Sequence, residues 1–81
     1  MKPAEIDYIY KELLLEVGEK IKDLRKTRSI SYTQISKEIG ISRNGYNNIE
    51  LGKSNFQIMT LLRILSYHNI SIFDFFESIK R

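Results

Sequence analysis

Cysteine and tryptophan are absent from this 81-residue chain, which also has one proline and one histidine. Without thiols there is no disulfide, no thiolate nucleophile and no cysteine-ligated metal. The single histidine, His68, has no partner for a triad or a metal site and reads as a structural residue at a helix end. Long apolar runs are missing too: none approaches the ~20 residues of a membrane span. The opening MKPAEIDYIY lacks the shape of a signal peptide, so a cytoplasmic location is expected. There is no repeat, no low-complexity tract, no glycine-rich phosphate loop and no nucleophile motif. Neither an enzyme nor a cofactor is therefore expected.

What is present is a small apolar budget and an uneven charge. A hydrophobic content of 42% suits one small domain, residues 1–81, near the size at which a single core is marginal; dimerisation would help. The net charge of +3 separates into −2 over residues 1–17, +4 over 18–53 and +1 over 54–81. Positive charge thus gathers on the central segment, where phosphates would lie if that segment docks on nucleic acid.

Within it, SYTQISKEIGISRNGYNNIELG (31–52) reads as two short helices and a tight turn. Ser31 and Gln34 have capping-box spacing. Gly40 suits a left-handed helix end, Ser42 can cap the next helix, and Ile41 and Tyr46 have the spacing of a hydrophobic staple. The expected helices run from Tyr32 to Ile39 and from Arg43 to about Leu51, a helix-turn-helix over 32–51. At about 100° per residue, Arg43, Asn47, Leu51, Asn44 and Asn48 share an arc of roughly 140° on the second of these helices. Asparagine is a poor helix former, so three on one short face point to a use outside the fold. Arg and Asn are the side chains that make paired hydrogen bonds to guanine and adenine in the DNA major groove. Arg43, Asn44, Asn47 and Asn48 are the expected base readers, and Asn47 is also placed to hold a phosphate.

Elsewhere, Ile6, Ile9, Tyr10, Leu13, Leu14, Val17, Ile21 and Leu24 form one helical stripe, predicting a first helix from about Ala4 to Thr27, with Pro3 suited to its first position. Residues 1–16 of it are an N-terminal extension that serves either the monomer core or a dimer. A fourth helix is expected over Phe56–His68, with Asn69 as left-handed cap. A fifth begins after Ser71 in SIFDFFESIK. Its apolar residues exceed what a terminal helix normally buries, so Phe73, Phe75, Phe76 and Ile79 are expected at a contact with a second copy.

From Val17 to Phe76 the chain resembles the phage repressor and Cro (XRE-type) family of helix-turn-helix DNA-binding domains. The resemblance rests on Gly18, Ile21, Leu24 and Arg25, on Ser31 and Ile35, and on the run Gly40, Ile41, Ser42. It continues through Ile49, Glu50, Gly52 and Lys53 to Thr60, Leu61, Ile64 and Ile70. It implies an all-α, five-helix, phage-repressor-like fold with the helix-turn-helix at helices 2 and 3, here with an extended N-terminal helix. The implied function is a transcriptional regulator that binds operator-like double-stranded DNA as a homodimer. Arg25 and Glu50 match a charge pair that braces helix 1 against helix 3. Tyr32 stands where the family usually carries a phosphate-bracing Gln. With Thr33, Lys53 and Arg28, it makes up the expected phosphate contacts. Other departures are Ser36 for Ala, Gly45 for Ser, Thr or Ala, and Phe56 for Pro. The alternative is a protein-interaction module, such as an antitoxin or adaptor, in which DNA binding is secondary. An RNA-binding reading lacks the aromatic platform such modules use.

Overall fold

The computed structural model describes residues 3–79, with side chains from residue 6 onward. The chain forms α1 (Pro3–Thr27), α2 (Tyr32–Ile39), α3 (Arg43–Glu50), α4 (Ile58–Tyr67) and α5 (Ile72–Glu77), with no strand among the described residues. Three helices start on a serine whose hydroxyl accepts the backbone N–H three residues on. The bonds are Gln34 to Ser31 at 3.1 Å, Gly45 to Ser42 at 3.0 Å and Asp74 to Ser71 at 3.0 Å. Each such cap stabilises its helix by about 1 kcal/mol. The fourth helix starts two residues later than expected. Phe56 turns against the core instead of opening it, and Gln57 takes the extended cap position (φ −72°, ψ 149°). The fifth is also shorter than the reading SIFDFFESIK allows, ending at Glu77; Lys80 of that run lies outside the described residues.

The helix ends follow one pattern. After α1, α2, α3 and α4 a residue turns left-handed: Ser29 (φ 55°), Gly40 (77°), Gly52 (72°) and Asn69 (56°). The next N–H then reaches back five residues: Ile30 to Arg25, Ile41 to Ser36, Lys53 to Asn48 and Ile70 to Leu65. This six-to-one bond marks the Schellman motif, which is completed by an apolar side chain packing back on the helix. Ile30, Ile41 and Ile70 do so against the core, whereas Lys53 is exposed. Ser29 is the one end without a glycine or asparagine to announce it.

All five helices feed one core. It contains Val17 and Ile21, Ile35 and Ile39, Tyr46 and Ile49, Leu61, Ile64 and Leu65, and Phe75, each large side chain contributing roughly 1.5–3 kcal/mol on burial. α1 crosses the end of α3 at Gly18, where a Cβ would lie 2.5 Å from the carbonyl oxygens of Ile49 and Glu50. Only hydrogen fits at that crossing. One turn earlier on α1, Leu15 packs on Gly52, where an added Cβ would lie 2.8 Å from the Leu15 Cα. Part of the N-terminal extension is therefore seated on the monomer. Tyr8, Ile9, Tyr10 and Leu13 remain exposed.

Candidate nucleic-acid interface

The turn Gly40–Ser42 presents α3 with one side inward and the other to solvent. Tyr46, Ile49 and Glu50 are buried; Arg43, Asn44 and Asn48 are exposed, and Asn47 is half-buried. Among the described residues no bond to another part of the chain occupies the Arg43, Asn44 or Asn48 side chains. A guanidinium and two amides are thus available on one face of a two-turn helix, the donor and acceptor set that matches base edges in a major groove.

The inward side is braced. Arg25 Nε donates to Glu50 Oε2 at 2.6 Å and Arg25 Nη2 to Oε1 at 3.0 Å, a two-pronged pair. Its third arm, Nη1, donates to the Ile30 carbonyl at 2.9 Å. Both side chains are almost fully buried. The hydrogen bond from Arg25 to Glu50 raises the Arg25 pKa further above its already high ordinary value, so the guanidinium stays charged. Removing one partner from such a pair leaves an uncompensated buried charge, at a cost of about 3–5 kcal/mol. The Tyr46 hydroxyl is buried beside this pair without a hydrogen-bond partner. Burial, and then Glu50, push its pKa far above the ordinary range, so it stays a neutral phenol. Helix α3 is held from behind by a charge pair at its end and an aromatic ring at its middle.

Around this face the other expected site residues divide. Tyr32 is exposed at the start of α2, with its ring 5.8 Å from the Arg25 guanidinium carbon. Thr33 beside it is exposed, and Lys53 is exposed immediately after α3. Arg28 belongs elsewhere. Its Nη1 donates to the Tyr67 carbonyl at 2.8 Å, and its guanidinium lies 5.0 Å over the Tyr67 ring. It therefore satisfies the C-terminal end of α4, where positive charge also suits the helix dipole. The expectation of a phosphate contact rested on charge alone, and charge does not say which carbonyl claims an arginine.

The aromatic residues of α5 also part company. Phe75 is completely buried in the core, so it cannot be an interface residue as expected from the sequence; helix α5 turns it inward, edge-on to Phe76 at 5.4 Å. Phe73 is 82% exposed and Phe76 38%, while Ile79 is half-buried against the core. Sequence reasoning missed the matching exposure of Ile58, Met59 and Leu62 on α4, which packs against α5. The signal was there: apolar residues cover more of the α4 circumference than one core-facing stripe needs.

His68 is half-buried, and among the described residues its buried Nε2 has no hydrogen-bond partner. Its Nδ1 lies 3.5 Å from Arg28 Nη1. Among the described residues no group of three or more potential ligands could hold a metal ion, and no helix is long and apolar enough to cross a membrane.

Comparison with known proteins adds three likenesses. Over 71 residues the chain is 28% identical to the control protein C.MunI of Mycoplasma sp, covering 86% of this chain and 96% of that protein. Its structure superposes on a point mutant of the restriction-modification controller protein C.Esp1396I with a TM-score of 0.74. That match has 25% identity and covers 83% of this chain and 85% of the other. The fold is also shared with the restriction-modification controller protein C.AhdI from Aeromonas hydrophila. There the TM-score is 0.72 at 19% identity, over 76% of this chain and 94% of that one. A family model described as a helix-turn-helix domain matches residues 18–77, which span the α2–turn–α3 unit and the α1 and α4 residues that brace it. This chain is a member of the helix-turn-helix domain family.

Proposed function

We propose that the protein is a transcriptional regulator that binds specific sites in double-stranded DNA as a homodimer, working in the cytoplasm in the manner of a restriction-modification controller. The observation that carries this reading is the exposed Arg43, Asn44 and Asn48 face on a short helix locked from behind by the Arg25–Glu50 pair. Arg43 offers its two-pronged donor to guanine O6 and N7, and Asn44 or Asn48 matches adenine N6 and N7. Asn47, half-buried between them, reads a base or holds a phosphate. Tyr32, Thr33 and Lys53 contact the sugar-phosphate backbone and set register without reading sequence.

Residues 1–81 act as one domain, and two copies meet through exposed apolar residues of α4 and α5, Phe73 and Phe76 foremost. A symmetric dimer requires a near-palindromic site whose halves lie about one helical turn, ~34 Å, apart. Selection of bound duplexes from a random pool, at a stated salt concentration, tests the whole reading. The expected result is an inverted repeat with that spacing. Recovery of unrelated sequences, or of single half-sites bound by a monomer, overturns it.

A further inference from the structure

An open groove with a volume of about 730 Å³ runs between the N-terminal part of α1 and the loop that follows α3. Two lysines from different elements line it, Lys11 of α1 and Lys53 just past the recognition helix, with Tyr10 and Asn55 as further polar neighbours. Among the described residues no carboxylate forms an ion pair with either lysine. Charge on the extension is segregated. Glu12 and Glu16 line a separate depression with Ile9 and Leu13. Asp7, one turn before Lys11, shares the groove wall, so the groove carries two lysines against one carboxylate.

Two more observations point to the same occupant. At three of the four left-handed helix ends the residue after the turn is an isoleucine packed on the core, and only after the recognition helix is it an exposed lysine. There an apolar contact that would stabilise the helix end is replaced by an exposed cation. The contact of Leu15 with Gly52 fixes α1 across that loop, so the backbone that carries Lys11 is set beside the loop one turn away. Lys11 also lies outside the residues matched by the family model, 18–77, so the second wall of the groove comes from the extension.

We propose that this groove is a backbone site, in which Lys11 and Lys53 together hold a DNA phosphate beside the bases read by α3. The inference rests on the DNA-binding reading above and gives the N-terminal extension a part in it. Such a contact adds affinity without sequence preference and is salt-dependent.

The test is the salt dependence of duplex binding by the full-length protein, on the selected site and on a scrambled duplex. Wild type is compared with Lys11→Ala, Lys53→Ala, the double variant and Lys11→Arg, with thermal unfolding by circular dichroism as the control for folding. Lys11→Ala is expected to weaken both duplexes about threefold to tenfold near ~0.15 M salt and to flatten the salt slope by about one. Lys11→Arg restores both. Because the lysines share one phosphate, the double variant loses less than the two single losses combined. Unchanged affinity and slope for Lys11→Ala on both duplexes overturns the proposal. If wild type binds both duplexes alike, the sequence-specific reading fails, and the groove is still decided by the Lys11→Ala slope; if wild type binds neither, both fail.

Discussion

Helices α3 and α5 are built alike and used differently. Both are short, both begin on a serine that accepts an N–H at 3.0 Å, and both put one aromatic ring fully into the core, Tyr46 and Phe75. Their outward faces are opposite in chemistry. That of α3 carries Arg43, Asn44 and Asn48; that of α5 carries Phe73, 82% exposed, and Phe76. A buried aromatic and a serine cap are enough to seat a short helix, which leaves its outer face unconstrained by folding. Burial of a lone phenylalanine ring is favourable in any partner's core, whereas Arg and Asn need a hydrogen-bonding surface. The comparison therefore separates anchor residues, whose loss costs stability, from outer residues, whose loss costs binding.

The largest effects are expected at the anchors. Phe75→Ala should cost about 3–5 kcal/mol of stability, read from urea unfolding, while Phe73→Ala should leave stability nearly unchanged and weaken self-association in sedimentation. Equal stability losses at the two positions would break the division. At α3 the matching anchor is reinforced by charge. Arg25→Met and Glu50→Gln should each cost about 3–5 kcal/mol, and the double variant should cost less than their sum because the second substitution removes a charge already stranded. Strict additivity in that cycle would mean the pair carries no coupling.

On the outer face of α3 the expected loss is smaller and appears only in binding. Arg43→Ala should cost about 1–3 kcal/mol on the preferred site and relax base preference at one position per half-site, with unfolding unaffected. A uniform loss over all sequences would make Arg43 a phosphate contact. The smallest effect concerns His68, at the junction of α4 and α5. Burial, and then the Arg28 cation, hold its pKa below the ordinary value near 6.5. The folded protein thus favours the neutral ring, and the unfolded chain takes up the proton first as pH falls. Its contribution to stability is present in full above about pH 6.5 and is lost as pH drops through the lowered folded value. The unfolding midpoint of wild type should fall in that window, and His68→Gln should flatten the fall; a parallel pH profile in the variant would assign it to other groups.

Much of the fold was legible because its signals are local. Ser31, Ser42 and Ser71 cap their helices, and Gly40 and Asn69 turn left-handed, for reasons contained within a few residues of each. That Arg43, Asn44 and Asn48 share an exposed side of α3 was legible for the same reason, since helical periodicity alone groups them. Errors arose where a residue's partner is distant in sequence. Arg28 binds the Tyr67 carbonyl, 39 residues away. The run Phe73–Asp74–Phe75–Phe76 is apolar over a wide arc, and its own pattern does not say which ring turns inward.

The sequence by itself determined the helices, their caps and the composition of the outer face of α3, because hydrogen-bond capping, backbone sterics and helical periodicity act over one or two turns. Tertiary structure alone decided how each helix is rotated and what crosses it. Phe75 is core and Phe73 is surface because the packing of α5 against α4 fixes its roll. Lys11 and Lys53 line one groove because Gly18 lets α1 approach the end of α3 and Leu15 rests on Gly52. Those outcomes depend on contacts between segments tens of residues apart, and close packing, which leaves room for only one such arrangement, selects among faces that the periodicity leaves equivalent.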